Sequence, residues 1–459
     1  MIPFTLAEVA AVVGGRLAGA DPDALVTGPV EFDSRRVAPG GLFVAFVGAS
    51  VDGHDFAGKA VADGAVAILG SRAVPDAPSI VVGDPLAAMG MLARASIDRL
   101  PDLTVIGITG SSGKTTTKDI VARLLCAAGP TVATAGSLNN ELGAPYTALL
   151  ATAETRFLVL EMGAKGAGHI RYLCDIAPPD VAVVVNVGVS HLAGFGSVQG
   201  IAEAKGELVE ALPPDGAAIL NADDPRVRAM AGRTRARVVL AGEAVDADVR
   251  AEDVTVREGG LCQYTMKTAA GSAAVRLALP GRHQVGNSLL AAAVGLELGV
   301  ALPDIATALG DLTSLSTRRM DVFERADGVT VIDDSYNANP ASMAVALRAL
   351  VAVGAGRRKI AVLGSMAELG EYERAGHEEV GRLTAQLGVD RLVVVGEPAA
   401  PIHDGAVAVA SWGGDSVLVT DQEAAVALLR AELRPGDVVL VKGSRYRTWD
   451  IVDALRSAS

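Results

Sequence analysis

Gly107-Ile108-Thr109-Gly110-Ser111-Ser112-Gly113-Lys114-Thr115-Thr116 is the stretch on which the fold reading turns. The apolar run that leads into it, residues 104–109, reads as a buried strand, and the pattern that follows reads as a helix. A glycine-rich turn between a strand and a helix aims backbone N–H groups and the helix N-terminus at an anion. Lys114 can reach the outer phosphates of a nucleotide, and the Thr115 hydroxyl can hold Mg²⁺. The common phosphate loop has a glycine six residues before the lysine; Ile108 stands there, so the fit is to a shortened form, Gly-x-x-Gly-Lys-Thr-Thr. The plain alternative is a structural turn with a lone lysine at a helix start.

Composition supports a large α/β protein. The chain has 459 residues, and at roughly 150 residues per domain about three domains are expected. Half the residues are hydrophobic but only 3% are aromatic, so the cores must be built from Ala, Val, Leu and Ile. Such packing suits buried parallel strands covered by helices. The net charge of −13 lacks the basic footprint of a nucleic-acid binder. Cys126, Cys174 and Cys262 are odd in number and widely spaced, which fits neither a disulfide framework nor a zinc site and does fit a reducing cytoplasm. No signal peptide is expected from Met1 to Gly15, and no apolar run approaches the ~18 residues of a membrane span.

Outward from the phosphate loop, strand-like and helix-like runs alternate. In residues 1–100, strands are expected at 42–47, 65–69 and 79–82, with a helix at 56–63. Leu100-Pro101-Asp102 reads as a boundary. Residues 101–313 continue from strand 104–109 with runs at 157–160, 181–187 and 217–220, then a locally antiparallel insertion at 247–280 and an Ala-rich helix at 281–298. Residues 314–459 repeat the alternation, with strands at 329–332, 360–363, 392–395 and 438–441 and helices at 342–350 and 376–387, a Rossmann-like pattern. The alternation predicts parallel sheets with helices on both faces.

In open α/β sheets the site lies beyond the carboxyl ends of the strands. Glu161, then Asn186, Ser190 and His191, then Asp333 and Asp334 follow three such strands, and each could approach a metal–nucleotide or simply cap a helix. Lys205 falls in a helical stretch with Ile201, Ala202, Leu208 and Val209 three and four residues away, so no carboxylate shares its face. Two readings stay open for it. Burial could leave a neutral amine able to take up CO₂ as a carbamate, or the stem could pack on the core while the ammonium reaches water.

Assembled, these residues resemble the Mur ligase family of peptidoglycan synthesis over essentially the whole chain. The phosphate loop has the family form. Glu161-Met162-Gly163-Ala164 resembles its metal-binding acid, Asn186 to Leu192 its Asn-x-x-x-x-His element, and Ala204-Lys205-Gly206-Glu207 the position of its carbamylated lysine. Gly281 to Asn287 resembles the adenine-side motif, Asp333 to Pro340 the C-terminal-domain motif, and Lys442-Gly443-Ser444-Arg445 the last one. Asn139 to Pro145 and His191 to Ser197 are similar to the branch that takes D-alanyl-D-alanine, and the Asp-Asn-Pro-Arg motif of the diaminopimelate-adding branch is missing. Asp33-Ser34-Arg35 and Asp52-Gly53-His54-Asp55-Phe56 resemble the uridine-nucleotide region, although turn and cap roles explain them equally well. Three places depart from the family: Arg318-Arg319 where Gly-Arg is usual, Ser365 where Asp is usual, and the run Tyr446 to Asp450.

The resemblance implies three domains: a UDP-substrate domain (1–100), an ATP-binding domain (101–313) and an amino-substrate domain (314–459). It implies a cytoplasmic, monomeric ligase using ATP and Mg²⁺ to join D-alanyl-D-alanine to UDP-N-acetylmuramoyl-tripeptide through an acyl phosphate. Lys114, Glu161, His191, Lys205 and Arg319 are the implied catalytic set. Gly110, Ser111, Ser112, Gly113, Lys114, Thr115, Thr116, Asn287, Arg319 and Asp334 would hold the nucleotide. Thr115, Glu161, His191 and a carbamylated Lys205 would hold the metal. Ser34, Arg35, His54, Asn139, Asn140, Tyr336, Asn337, Asn339 and Lys442 would hold the other substrates. The competing readings are another amide ligase on this scaffold, such as a folylpolyglutamate synthetase or the diaminopimelate-adding ligase, and a nucleotide-binding regulator, which would not need Glu161, His191 and Lys205 together.

Overall fold

The computed structural model describes residues 1–188, 192–313, 315–444 and 447–457. Among these, sheets of five, nine and six strands follow one another along the chain. The central sheet carries the phosphate loop. Its strand Thr104–Thr109 runs parallel between Phe157–Glu161 and Val181–Val184. Val105, Ile106 and Ile108 are buried, as a strand covered on both faces requires. Glu161 pairs with Ile108 and Val184 with Thr109, so three carboxyl ends finish at one level beside the loop. Neighbours lie on both sides of the first strand, so this is a switch point, where open sheets leave a crevice.

Several sequence expectations shift. The strand expected over 181–187 stops at Val184, because the chain turns to bring Asn186 onto the phosphate loop. The antiparallel strands Val249–Val256, Leu261–Thr268 and Gly271–Pro280 do form, yet they extend the central sheet at its edge and do not stand apart from it. The helix expected over 56–63 is a 3₁₀ turn, Gly53–Phe56, followed by Ala57–Ala62. Thr131–Ala133 and Asp415–Val419 gave no sequence signal; both are short edge strands with no fully buried run.

The C-terminal sheet places Thr330–Asp334 beside Val438–Lys442, with Asp334 and Lys442 as register partners. Its two faces are packed by apolar clusters built from residues 320 onward. The amino-terminal residues share one continuous core with a face of the central sheet, from Ile2 and Phe4 through Leu158 to Leu220. Helix Lys114–Cys126 packs on the opposite face through Ile120, Val121, Leu124 and Leu125. No described helix is long and apolar enough to cross a membrane.

Ile108 is fully buried in the strand that aims the phosphate loop. Ile108→Ala is expected to cost about 2–5 kcal/mol in urea unfolding, since both transfer energy and a cavity are involved. Val245→Ala, at a side chain 83% exposed, should shift stability by less than about 0.5 kcal/mol.

Candidate active site

Gly113 opens helix Lys114–Cys126 at φ +77°, the left-handed region that glycine enters without strain. A Cβ there would stand 2.8 Å from Asn287 Oδ1, so the helix Gln284–Glu297 closes on the loop at this point. Asn186 sets the loop's shape. Its Oδ1 accepts from the Ser111 N–H at 3.1 Å and the Ser112 N–H at 2.9 Å, and its Nδ2 donates to the Ser112 carbonyl at 3.1 Å. Ser111 Oγ donates to the Gly188 carbonyl and accepts the Gly188 N–H, both at 2.9 Å. The first-turn N–H groups of the helix have no intrahelical acceptors and face the cleft.

Lys114 Nζ donates to the Gly110 carbonyl at 2.8 Å. Burial holds its pKa below the usual lysine range; the Glu161 charge opposes that shift and the Arg319 charge adds to it. Glu161 is buried. Its Oε2 accepts from Thr115 Oγ at 2.8 Å, and its Oε1 accepts from Asn139 Nδ2 at 2.6 Å. Lys205, on helix Val198–Glu210, is 3% exposed and has no ion pair among the described residues. Burial drives its pKa well below the lysine norm, and nearby Lys114 drives it lower.

The opposite wall comes from the C-terminal sheet. Lys442 Nζ donates to Asp334 Oδ2 at 2.5 Å and to the Asn337 carbonyl at 2.8 Å. Burial lowers its pKa, Asp334 opposes this, and Arg319 lowers it further. The Arg319 guanidinium stacks 4.3 Å from the Tyr336 ring centroid, and Tyr336 in turn bonds Ser137 across the cleft. The enclosed space is about 370 Å³.

The structure therefore brings Ser111, Ser112, Gly113, Lys114, Thr115, Thr116, Asn139, Glu161, Asn287, Arg319, Asp334, Tyr336, Asn337, Asn339 and Lys442 to one cleft. It does not bring Asn140, whose Oδ1 accepts the Gly143 N–H at 3.0 Å at the start of a helix. His54 also lies outside this cleft. Its Nε2 accepts the Ser71 N–H at 3.1 Å, which leaves the proton on Nδ1, 2.6 Å from Asp52 Oδ1. Both nitrogens of this buried ring are engaged by its own loop and by Ser71. Arg35 pairs with Asp33 at 2.7 Å on the surface, and neither it nor Ser34 lines the cleft. Asp333 faces away from Asp334, as neighbours on a strand must, and bonds Ser335. Ser190 and His191 lie outside the described residues. Ser137, which carries no sequence signal, also lines the cleft, as does His283 from within the Gly281 to Asn287 motif. His283 stands four residues before Asn287, a spacing that puts two side chains on one helix face and was the available signal.

Family models cover most of the chain in order: Mur ligase family, catalytic domain, over 29–96; Mur ligase middle domain over 108–295; and Mur ligase, glutamate ligase domain, over 318–445. The chain belongs to the Mur ligase family. It is similar to the UDP-N-acetylmuramoyl-tripeptide--D-alanyl-D-alanine ligase of Mycobacterium tuberculosis H37Rv, 48% identical over 97% of this chain and 96% of that protein. The ligase of the same name from Escherichia coli K12 is 37% identical over 99% of each. A crystal structure of MurF from Acinetobacter baumannii superposes with a TM-score of 0.88 at 30% identity over 99% of this chain and 98% of that one. The MurF ligase of Thermotoga maritima in complex with ADP gives 0.81 at 32% identity over 94% and 98%.

Burial lowers the His283 pKa to about 4, with Lys442 also lowering it and Asp334 opposing. Unfolded, the ring titrates near 6.5, so between those values the unfolded chain binds more protons and stability is lost as pH falls. Relative to His283→Asn, the wild type should lose about 1–2 kcal/mol between pH 7 and pH 5, read by urea unfolding at each pH.

Proposed function

We propose that this chain joins D-alanyl-D-alanine to UDP-N-acetylmuramoyl-tripeptide, using ATP and an acyl phosphate. The observation that carries this reading is the cleft itself. A phosphate loop with Lys114 forms one wall, and Arg319 and Lys442 form the other. The full-length likeness to ligases of that name selects the substrates.

The loop's N–H groups and Lys114 bind the phosphates of ATP, and Asn287 lies at the adenine side. A substrate carboxylate oxygen attacks the γ-phosphorus, the bond to the β-bridging oxygen breaks, and ADP leaves. Such transfer depends on positioning and charge neutralisation, which Lys114, Arg319 and Lys442 supply. The free amine of the dipeptide then attacks the acyl carbon, phosphate departs, and the nitrogen gives up a proton to solvent. The cleft walls keep water from the acyl phosphate. Glu161 Oε2 and Thr115 Oγ are oxygen donors 2.8 Å apart beside the loop, a set that suits a hard divalent cation. Mg²⁺ held there, with His191 completing the set, would neutralise charge on the phosphates.

Lys205 fits a carbamate better than a snorkelling lysine. A snorkelling head stays in water, whereas Lys205 is 3% exposed and its amine is driven toward neutrality. CO₂ uptake would convert it to an anion near Lys114. We assign residues 1–100 to the uridine-nucleotide substrate, 101–313 to ATP and 314–459 to the dipeptide, in a monomer working in the cytoplasm where ATP is found.

Phosphate release from ATP should require both UDP-N-acetylmuramoyl-tripeptide and D-alanyl-D-alanine, with a product heavier by the dipeptide in mass spectrometry. Release with a different amine or acceptor would keep the ligase and remove this specificity; binding of ATP without turnover would indicate a regulator. Lys114→Ala is expected to lower kcat at least ~100-fold. Lys205→Ala should do likewise, and CO₂-free buffer should slow the wild type reversibly; unchanged rates in both would exclude the carbamate.

A further inference from the structure

The chain crosses from the central sheet to the C-terminal sheet within a few residues. Leu315 still packs on the core of the central sheet, while Met320 already belongs to the C-terminal core. Arg319 lies between these anchors and lines the cleft. The crossing is held at both ends. On the central side, Asp119 Oδ2 accepts the Ser316 N–H at 3.0 Å and the Ser316 Oγ–H at 2.7 Å. On the far side, Arg318 pairs with Asp453 at 3.1 Å and stacks 5.1 Å from Trp449. Met320 N–H donates to Asp334 Oδ1 at 3.2 Å. Arg318 and Met320 have φ of +64° and +54°, left-handed values that non-glycine residues hold only under constraint from their surroundings.

Asp119 is tied inward as well. It pairs with Lys118, which is 2% exposed, and Lys118 Nζ donates to the Thr134 carbonyl at 2.7 Å. Thr134 Oγ accepts the Glu161 N–H at 3.1 Å. One polar chain thus runs from the linker through Ser316, Asp119, Lys118 and Thr134 to Glu161. Asp119 and Lys118 sit in the second turn of the helix that Lys114 begins. Asp119 does not line the cleft.

We infer that Asp119 is a positioning residue for the ligase reaction: through Ser316 it fixes the linker so that the Arg319 guanidinium faces the phosphates held by the loop. The inference rests on the proposed ligase activity for its kinetic readout. It goes beyond that activity in giving a role to a helix residue that touches no substrate.

The test is a double-mutant cycle in the full-length protein, read by phosphate release and by ADP binding. Asp119→Ala should lower kcat at least tenfold while leaving the ATP KM within threefold, and Ser316→Ala, which spares the Lys118 pair, should lower kcat about threefold. Asp119→Asn, which keeps an acceptor for Ser316 but loses the charge that pairs Lys118, should recover part of the rate, at least twofold over Asp119→Ala. In an Arg319→Ala background, Asp119→Ala or Ser316→Ala should change kcat less than twofold, because coupled residues are not additive. Equal losses in both backgrounds, or an unchanged kcat in Asp119→Ala, would overturn the assignment. A second readout needs no substrate. Trypsin cleavage after Arg318 or Arg319 should run at least fivefold faster in Asp119→Ala and Ser316→Ala than in wild type. Equal cleavage rates would overturn the inference, while wild type that is inert with the named substrates but shows accelerated cleavage in the variants would sink only the ligase reading.

Discussion

The Ser111 N–H is shared between the Asn186 backbone carbonyl and the Asn186 carboxamide, and the Ser112 N–H is accepted by that carboxamide. Asn186, with Gly188 beyond it, holds the curvature of the phosphate loop from the neighbouring strand. It can do so only because Val181–Val184 lies directly beside Thr104–Thr109 in the sheet. The same level of the sheet presents Glu161 from the other side. Strand order, loop shape and the position of the acid are therefore one constraint. Asn287 completes it by closing on Gly113, where a Cβ would have to displace the Asn287 carboxamide.

Around that loop the protein collects Lys114, Arg319 and Lys442, and it buries the amines of Lys114, Lys442 and, behind the cleft lining, Lys205. Lys114, Lys205 and Lys442 all have depressed pKa values, each with burial as the leading cause. Like charges push the same way: Lys114 on Lys205, Arg319 on Lys114 and Lys442, and Lys442 on His283. Two carboxylates, Glu161 and Asp334, offset only part of this. A polyanion entering the cleft would supply the missing negative charge, so the site is organised for a polyphosphate before one arrives.

The packing distributes rigidity unequally. The amino-terminal sheet shares its core with the central sheet, and Tyr146 joins the two through a hydrogen bond to Glu31 at 3.0 Å. The C-terminal sheet keeps its own cores. The polar cleft, the pinned linker and the contact of Gly260 with Ala352 and Val353 join it to the central sheet. A side chain outside the cleft, Asp119, acquires importance from that arrangement.

Much was legible from the residues in order. Val105, Ile106 and Ile108 before a glycine turn mark a buried strand, and Gly113-Lys114-Thr115 after it marks an anion-binding helix start; both are local consequences of backbone sterics and burial. The strand-end carboxylates Glu161 and Asp334 followed from the rule that sites gather at carboxyl ends. The apolar neighbours of Lys205 left burial and a snorkelling head both open, and the packed fold is what buries it. What sequence order could not decide is which side chains spend their polar atoms elsewhere. The ring nitrogens of His54 meet Ser71 and Asp52, and the Asn140 carboxamide meets the Gly143 N–H, partners that the motifs do not announce. The strand at 181 ends early for the sake of a contact to a loop some 70 residues away. Asp119 meets Ser316 across 197 residues. Burial and helix or strand period are carried by near neighbours and so are written in the chain; hydrogen-bond partnership is settled only when distant segments are packed, because each donor and acceptor takes whichever partner the fold brings within 3 Å or so.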